Sequence, residues 1–402
     1  MIRSFGAGNF WSIKKFQRID LVVDKHATDS SRHFRMIKDG DRVPTVVAVY
    51  GHNASGKTSL LKIPRFLSDF ISRSFHYEAN VDIAVQPFLS SDSEDKPSDL
   101  EISFDLSDEK EWVTYFYEVS LTKKRVIREA LYYTPRRKRR LLFERHAADG
   151  SSPILKTGPD FQVDTSDPMR TKITEKASVI STFSQFNHAP SIRISRAATA
   201  VFSNVFSFGR GEYPSEQIAS SIFKTNSDAI GDAKAFLRYG DLGIDDFIIE
   251  EQKIFDKTAA DQQKTILATF FIHKGLTRPL SYWEESHGTQ ALYRFLPFML
   301  GPLKLGGTAI LDELDADIHP MMLPKIIDMY HSTKSNDKNA QLILSGHNPY
   351  TLSFLEKEEV YFTEKDDQGR TSIFGLRDIK GVRRVDNYFL KYLGGVYGGV
   401  PR

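Results

Sequence analysis

Short apolar runs separated by turn residues open the chain. We expect them to form three strands, over residues 9–16, 19–23 and 45–50. The third run, TVVAVY, is almost continuously apolar and β-branched, which is typical of a strand buried on both faces of a sheet. A helix is expected to begin at about Lys57, and Pro64 should kink or end its first part because proline cannot donate the helical hydrogen bond.

The middle of the chain changes character twice. The polar, turn-rich residues 90–99 predict an exposed loop, and the segments EISFDL, WVTYFYEVSL and REALYYT then predict an antiparallel β region within residues 100–143. From about Asp149, Ser, Thr, Asn and Lys become frequent, and we expect a helical stretch over residues 174–237. Two segments of strand character, IDDFIIEEQ and ILATFFIH, follow it.

The last part of the chain alternates between helical and strand patterns. We predict helices over residues 289–299, 321–330 and 349–355, and strands over residues 308–311 and 341–344. This alternation indicates an α/β fold with a mainly parallel sheet.

Composition narrows the class of protein. The 402 residues are 40% hydrophobic and 26% charged, which is the balance of an ordinary folded protein. The absence of cysteine excludes disulfides, Cys-ligated zinc, iron–sulfur clusters and a thiol nucleophile, and it fits a reducing compartment. No apolar run is long enough to cross a bilayer and the first residues lack the apolar segment of a signal peptide, so we expect a cytoplasmic protein without a membrane partner. The net charge of +2 does not by itself indicate nucleic-acid binding.

A glycine-rich motif lies between the predicted buried strand and the predicted helix. It consists of Gly51, His52, Asn53, Ala54, Ser55, Gly56, Lys57 and Thr58, it matches GxxxxGK[ST], and Ser59 follows it. Glycines in such a loop let backbone N–H groups turn toward phosphate oxygens, while the lysine reaches the β and γ phosphates and the hydroxyl ligates Mg²⁺. Four fixed positions in a strand–loop–helix context make a chance turn the poorer explanation. We therefore expect residues 51–59 to bind ATP and Thr58 to bind Mg²⁺.

Two carboxylates end the later apolar strand TAIL. Asp312 and Glu313 should lie at the carboxyl edge of the sheet, where ligands of open α/β sheets bind. Asp312 would bind Mg²⁺, and Glu313 would polarise the attacking water. Solvated acids capping a strand would be an equal alternative if the glycine-rich motif were not upstream.

Two further groups are candidates for the same site. His347 follows the strand QLIL at the predicted edge and could hydrogen-bond a γ-phosphate or the attacking water. Ser286, Gly288 and Thr289 open a helix and could present N–H groups and hydroxyls to phosphate, although the residues alone indicate only a helix N-cap.

The set of motifs resembles the ATP-binding-cassette head of the SMC, RecF and OLD group of ATPases. More closely, the chain resembles the small bacterial AAA-type ATPases found beside phage-defence and abortive-infection genes. The segments that carry the likeness are NFWSIKKFQRIDL, the glycine-rich motif, EESHGTQALYRFLPFML, LDELDADIHP, SGHNP and YLGGVYGGVP. The resemblance implies a P-loop NTPase fold with a mixed sheet, an antiparallel β region and an inserted, largely helical arm.

The resemblance also implies a domain organisation and roles for particular residues. Residues 1–149 would form an N-terminal ATPase lobe, residues 150–280 a mainly helical insertion, and residues 281–402 a C-terminal lobe. Ser286 and Gly288 would form a signature loop that contacts the ATP of a second subunit in a head-to-tail homodimer, with Asp315 and His319 near the dimer seam. Gln86 would be the Q-loop residue that helps to bind Mg²⁺. The expected activity is ATP hydrolysis in bacterial defence against phage, controlling a separate effector protein.

Several alternatives stay open at this point. The chain could be a nucleotide-gated scaffold with negligible turnover, or a self-contained nuclease, although too little sequence follows His347 for a Toprim domain. We interpret the acids at positions 356, 358, 359, 366 and 367 as a solvated surface. The basic run of Arg136, Arg137, Lys138, Arg139 and Arg140 could bind nucleic acid, but a solvated turn is slightly favoured.

Overall fold

A computed structural model gives the fold of most of the chain. It describes residues 1–25, 27, 32–107, 112–135, 138–147, 153–163, 168–211, 215–240, 243–256, 262–316 and 318–399.

The strands up to the start of the second half are β1 (Ile2–Gly8), β2 (Gln17–Asp20), β3 (Phe34–Met36), β4 (Arg42–Pro44), β5 (Val46–Tyr50), β6 (Ser98–Ser107), β7 (Trp112–Leu121), β8 (Val126–Thr134), β9 (Arg140–His146) and β10 (Ile154–Thr157). The later strands are β11 (Val201–Ser203), β12 (Val205–Phe206), β13 (Gly209–Arg210), β14 (Ile244–Asp256), β15 (Gln262–His273), β16 (Leu280–Ser281), β17 (Thr308–Leu311), β18 (Gln341–Ser345), β19 (Val360–Lys365) and β20 (Thr371–Gly375). The α-helices are α1 (Lys57–Arg73), α2 (Val179–Ser184), α3 (Ala189–Thr199), α4 (Glu216–Thr225), α5 (Ser227–Tyr239), α6 (His287–Leu305), α7 (Met322–His331) and α8 (Tyr388–Leu393).

A six-stranded, mainly parallel sheet forms the centre of the molecule. Its order is β11-β17-β18-β5-β19-β20, and only the edge strand β20 pairs antiparallel. Alternate residues of β5 enter two different cores, since Val47 and Val49 pack with α1 while Ala48 packs with α6 and α7. The sheet is therefore covered on both faces, which confirms the α/β class and explains why all of β5 and most residues of β17 and β18 are apolar.

A second, seven-stranded antiparallel sheet packs beside the first. Its order is β10-β9-β8-β7-β6-β1-β2, so the predicted antiparallel region is confirmed and also includes the first two strands of the chain. Its apolar face shares one core with α1, α2 and the neighbouring face of the parallel sheet. The two sheets thus hold helix α1 between them, directly after the glycine-rich motif.

The stretch from 150 to 280 is more varied than a helical arm. It contains helices α2 to α5, as expected, together with the long antiparallel hairpin of β14 and β15. Strand β11 leaves this stretch and adds to the central sheet, where Val201 pairs with Thr308. Residues 201–203 belong to the stretch that we predicted to be helical, and the prediction is wrong there because a three-residue strand is too short to produce a pattern.

Of three local predictions, the first is wrong, the second is wrong in that a helix does not end, and the third is correct in that a helix forms but not in its type. Residues 9–16 form a turn instead of a strand, because Asn9 and Trp11 take positive φ and the Asn9 amide donates to the carbonyl oxygens of Ser93, Lys96 and Pro97. Pro64 does not end α1, which continues to Arg73 on a buried apolar face. Residues 349–354 form a 3₁₀ helix in place of an α-helix.

The interpretation of the late acids as a solvated surface also needs correction. Asp366 and Asp367 are exposed, but Glu358 and Glu359 are buried at 4% and 0% relative exposure. Glu358 accepts a hydrogen bond from Arg384, and Glu359 accepts from two histidines. Charged side chains are buried when partners compensate them, and a sequence does not display partners that are distant along the chain.

Candidate functional site

The glycine-rich motif forms a tight loop whose glycines have no room for side chains. A Cβ on Gly51 would come within 2.4 Å of the Ser55 hydroxyl, and one on Gly56 would come within 2.2 Å of the Thr371 hydroxyl. Gly56 also has a φ of 110°, which disfavours other residues. The loop is fixed from outside as well, because Thr371 donates to the Ser55 carbonyl oxygen at 3.0 Å. The predicted glycine roles therefore follow from close packing against β19 and β20.

Lys57 begins α1 and bends back over the loop. Its ammonium group donates to the carbonyl oxygens of Gly51 at 2.8 Å and His52 at 3.2 Å. Burial lowers the pKa of Lys57, and the nearby carboxylates of Glu313, Asp312 and Asp315 oppose that shift. A buried cation held at the mouth of the loop is suited to follow phosphate oxygens.

Thr58 and Asp312 come together although 254 residues separate them. The Thr58 hydroxyl donates to the Asp312 carboxylate at 2.6 Å. Ser345, at the end of β18, donates to the other carboxylate oxygen. Asn204 exchanges two hydrogen bonds with the Asp312 backbone, at 2.8 and 3.0 Å, and so fixes the end of β17.

Glu313 extends from the same strand end with a left-handed φ of 50°. Arg210 donates to its Oε2 at 3.1 Å, and His347 Nε2 lies 3.5 Å from its Oε1. Partial burial raises the pKa of Glu313, but the hydrogen bonds and positive charges of Arg210 and His347 outweigh it and hold that pKa below its ordinary value. The group is therefore a carboxylate at neutral pH, in the form that a general base requires.

The loop after β18 is tied to the loop after β17. The Asp315 carboxylate accepts from the backbone N–H groups of His347, at 2.6 Å, and Asn348. Gly346 packs so closely that a Cβ would lie 3.0 Å from the same carboxylate. A movement of His347 is thereby coupled to the segment that carries Glu313.

The side chains of this site fit a nucleotide and Mg²⁺. The narrow glycine loop with a buried lysine suits phosphate, and Thr58 and Asp312 offer hard oxygen ligands, which Mg²⁺ prefers. His52 is half-buried, Asn53 and Ala54 are exposed at the tip of the loop, and Ser59 accepts a hydrogen bond from Ser12 at 2.8 Å.

The remaining site candidates lie apart from this cluster. Ser286 is an exposed N-cap of α6 that accepts from the Thr289 N–H, and Gly288 beside it is exposed. Within the described residues no hydrogen bond or ion pair given for these three residues reaches the glycine loop. Gln86 donates to the neighbouring Pro87 carbonyl oxygen and binds Trp11 through its backbone, so its contact with Mg²⁺ remains a prediction.

The described part of the basic run, residues 138–140, comes after β8 and includes the first residue of β9. Arg136 and Arg137 fall outside the described residues. Arg139 pairs with Glu118 and its guanidinium lies 4.0 Å from the Tyr132 ring centroid, while Arg140 is 3.7 Å from Asp160. These two arginines are engaged with their own sheet, which favours the solvated-turn interpretation for this part of the run.

Sequence reasoning missed Asn204, Arg210 and Ser345. Asn204 lies between β11 and β12 and Arg210 ends β13, in a stretch that we expected to be helical. The two residues meet Asp312 and Glu313 across separations of 108 and 103 residues. Ser345 had a local signal, since it directly precedes Gly346 and His347 after an apolar strand. Asn204 and Arg210, by contrast, reach the site only through the tertiary structure.

These features define an α/β protein of the P-loop nucleotide-binding class. Residues 46–353 match the profile of one family, described as "AAA domain, putative AbiEii toxin, Type IV TA system". Because the match spans most of the sequence, the chain belongs to this family, and the predicted relation to AAA-type proteins of abortive infection is confirmed. Membership in a family of P-loop ATPases implies nucleotide binding.

Solved structures with similarity to the chain include three SMC heads. The SmcHead bound to the C-winged helix domain of ScpA is 10% identical, with coverage of 93% of this chain and 97% of that one and a TM-score of 0.47. The SMC head domain from Thermotoga maritima is 12% identical, with coverage of 93% and 98% and a TM-score of 0.43. The Smc head domain from Pyrococcus furiosus, with an extended coiled coil and bound to the C-terminal domain of ScpA, is 11% identical, with coverage of 93% and 96% and a TM-score of 0.45.

A search of curated proteins gives no significant match. Among the helices that the structure describes, none combines the length and the apolar character needed to span a bilayer.

Proposed function

We propose that the chain is a Mg²⁺-dependent ATPase that forms a head-to-tail homodimer on binding ATP. The observation that carries this proposal is the 2.6 Å hydrogen bond between Thr58 and Asp312, with the carboxylate of Glu313 on the next residue. A phosphate loop, a pair of hard oxygen ligands and a general base thus meet at one edge of the sheet. This combination is the minimum set for hydrolysis of a phosphoanhydride.

Each side chain has a part in the proposed reaction. The N–H groups of the glycine loop and the Lys57 ammonium bind the β and γ phosphates, and Thr58 and Asp312 hold Mg²⁺, which when bound offsets negative charge on those phosphates. Glu313 orients the attacking water and accepts its proton. His347 donates a hydrogen bond to the γ-phosphate and keeps Glu313 in place from the opposite side.

The proposed dimer uses the exposed start of α6. Ser286 and Gly288 present an accessible helix N-terminus, and a Cβ on Gly288 would meet only the Ser286 hydroxyl at 3.9 Å. That open surface can receive the γ-phosphate bound to a second copy, with N–H groups and the helix dipole favouring the anion. Residues 150–280 would then be an insertion between the loop that holds ATP and the surface that receives the partner's ATP.

The biological setting is proposed from the family alone. Because the family description names an AbiEii toxin, we infer a cytoplasmic role in defence against phage, in which the ATPase cycle controls a separate effector protein. Nucleic acid is a possible second partner through residues 136–140. Copurification from the native operon would identify either partner.

A second function, a nucleotide-gated scaffold with negligible turnover, is favoured by one contact. Arg210 occupies Oε2 of Glu313, the group that should face the attacking water. If Arg210 keeps its hydrogen bond to Glu313 when ATP is bound, the protein would dimerise without hydrolysing ATP.

Steady-state phosphate release separates the two functions. The ATPase proposal expects Mg²⁺-dependent turnover in the wild-type protein and its loss in Glu313→Gln, which retains the shape of the side chain but not the base. That variant should accumulate as an ATP-bound dimer in light scattering. Phosphate release at background level in the wild-type protein, together with an ATP-dependent dimer, would favour the scaffold.

A further inference from the structure

Two histidines and a glutamate converge at a point away from the nucleotide site. His33 Nδ1 lies 2.7 Å from Oε2 of Glu359, and His331 Nε2 lies 2.7 Å from Oε1 of the same carboxylate. The two imidazole rings are 4.1 Å apart between centroids. One potential ligand atom from each of the three residues lies within 4.8 Å of the other two.

The three residues come from parts of the chain that are remote in sequence. His33 precedes β3, His331 ends α7, and Glu359 directly precedes β19. Glu359 is fully buried and the His331 side chain is 3% exposed, whereas that of His33 is 19% exposed and lies at the outer side. The cluster therefore lies in the interior of the fold, and only its His33 side faces solvent.

Backbone hydrogen bonds hold the three residues in place. The Thr45 N–H donates to the His33 carbonyl oxygen at 3.0 Å, and Arg35 donates to the His331 carbonyl oxygen at 2.8 Å. The Glu356 N–H donates to Oε2 of Glu359 at 2.7 Å. The contact from the Glu356 N–H shows that the carboxylate itself has an outer partner, as carboxylate ligands of metals usually do.

We propose that His33, His331 and Glu359 bind a divalent transition metal ion, with Zn²⁺ the best fit. Two imidazole nitrogens and one carboxylate oxygen form a ligand set that Zn²⁺ accepts, and three protein ligands leave a fourth position for water. Tetrahedral coordination at about 2.0–2.2 Å would hold the ligand atoms about 3.3 Å apart. The three ligand atoms, one from each residue, lie within 4.8 Å of one another, so their separations need to change by at most about 1.5 Å to reach that spacing.

A cavity next to the cluster provides access for the ion and room for the fourth ligand. It has a volume of about 610 Å³, and both histidines line it. Asp328 and Glu356 lie on its wall, paired with Arg32 and Arg384 respectively. Because each carboxylate is paired with an arginine of the same wall, the cavity provides space for the ion and for water, and the attraction for a cation comes from the carboxylate of Glu359 itself.

The place of the site in the fold indicates what the metal would do. Strand β19 pairs parallel with β5, and Glu359 lies at the start of β19, whereas the glycine loop follows the opposite end of β5. The metal would link the end of α7, the start of β19 and the segment before β3 to one another at the amino edge of the central sheet. It would therefore stabilise the ATPase core without touching the nucleotide, and the proposal stands whether or not the chain hydrolyses ATP.

The experiment uses the full chain, stripped with a chelator and dialysed into nucleotide-free buffer. Zn²⁺ or Co²⁺ is then added, and three quantities are measured: bound metal by elemental analysis, the visible absorption of Co²⁺, and the melting temperature. We expect one tightly bound equivalent, a tetrahedral Co²⁺ spectrum and a melting temperature that rises with Zn²⁺ because the ion binds only the folded state. Asp312→Asn should retain this equivalent, which separates it from metal held at the nucleotide site.

Substitutions assign the ligands. His33→Gln and His331→Gln should each weaken Zn²⁺ binding by at least tenfold, the loss that even outer-shell changes cause. His33→Cys should restore binding because cysteine is also a zinc ligand. His273→Gln is the matched control, since His273 contacts the buried carboxylate of Glu285 in a pair that has no third potential ligand among the described residues.

Three results would overturn the proposal. The first is a wild-type protein that is stably folded but binds no Zn²⁺. In that case, hydrogen bonds alone would join His33, His331 and Glu359. The second is a bound equivalent that is lost in Asp312→Asn but retained in both histidine variants. The third is an equal loss of binding in His273→Gln. Because His33 lies at the outer side of the cluster, its variants should fold even if those of His331 do not, and circular dichroism checks this.

Discussion

At the scale of single residues, the proposal assigns the binding of phosphate to Lys57 above all. Lys57→Ala removes the buried cation of the loop, and a hydrogen bond to a charged group contributes about 1.5–3 kcal/mol, so the affinity for ATP should fall by roughly ten- to a hundredfold. A fluorescent ATP analogue measures this loss. Lys62→Met is the control, because Lys62 lies one turn further along α1 and its ammonium contacts Trp11 and the Ser207 carbonyl oxygen. Unchanged affinity in Lys57→Ala would remove the phosphate-loop assignment.

Arg210 is the residue that limits Glu313. Its hydrogen bond at 3.1 Å occupies one carboxylate oxygen and favours the weakly basic, ionised form. Arg210→Gln should therefore raise kcat for ATP several-fold with little change in KM, since its hydrogen bond goes to the proposed base and the phosphates are bound by the glycine loop and Lys57 in our proposal. Lys224→Gln, which removes an exposed ion pair with Glu251, should leave kcat unchanged. A decrease of kcat in Arg210→Gln would mean that this guanidinium stabilises phosphate charge instead.

At the scale of elements, a buried carboxylate joins the antiparallel sheet to α2. Glu129 on β8 accepts from the Tyr117 hydroxyl at 2.9 Å, the Ser178 hydroxyl at 2.8 Å and the Val179 N–H, and it lies 3.5 Å from Arg145. Both members of the ion pair are fully buried. The carboxylate thus caps a helix, orders two strands and compensates an interior cation.

Removing this carboxylate should destabilise the fold strongly. Glu129→Ala leaves Arg145 buried without its partner, and breaking a buried pair costs about 3–5 kcal/mol of unfolding free energy. Glu118→Ala, on the same sheet but in half-exposed pairs with Arg128 and Arg139, should cost less than about 1 kcal/mol. Urea denaturation compares the two variants. Equal losses would show that the interior pair contributes no more than a surface pair.

A comparison of individual strands shows which parts of the fold could be predicted from the sequence. Strands β5, β17 and β18 were predictable because burial on both faces favours apolar residues at most positions, although β18 begins and ends with the buried polar residues Gln341 and Ser345. Residues 9–16 have a similar apolar content, yet the Asn9 amide organises a turn through three carbonyl oxygens, and hydrophobicity does not record that contact. Strand β11 was missed because its three residues owe their conformation to pairing with β17, a contact of tertiary structure. At the site, likewise, the phosphate loop was predictable from local sequence but Arg210 was not.

At the scale of the whole molecule, the proposed dimer requires that each nucleotide contact two chains. Lys57 lies in one chain's loop, and the exposed start of α6 would close on it from the second chain. Gly288→Asp places an anion on that surface, where it should repel the partner's γ-phosphate. Because Gly288 has open space around it, this change should leave the folding of the monomer and its affinity for ATP nearly intact. Each variant alone, Gly288→Asp or Lys57→Ala, should have little ATPase activity.

Mixing the two variants tests the shared site directly. A heterodimer of Gly288→Asp with Lys57→Ala has one composite site that carries both defects and a second site that carries neither. The mixture should therefore recover part of the wild-type rate of phosphate release, with a maximum near equal proportions. Differently tagged chains establish by copurification that heterodimers form, and Lys57→Ala mixed with itself under two tags is the control. Heterodimers that form without any recovery would mean that each chain hydrolyses ATP alone or that both sites must act together. If the Glu313→Gln protein stays monomeric with ATP, each chain must hydrolyse ATP alone, because no second chain then reaches the nucleotide.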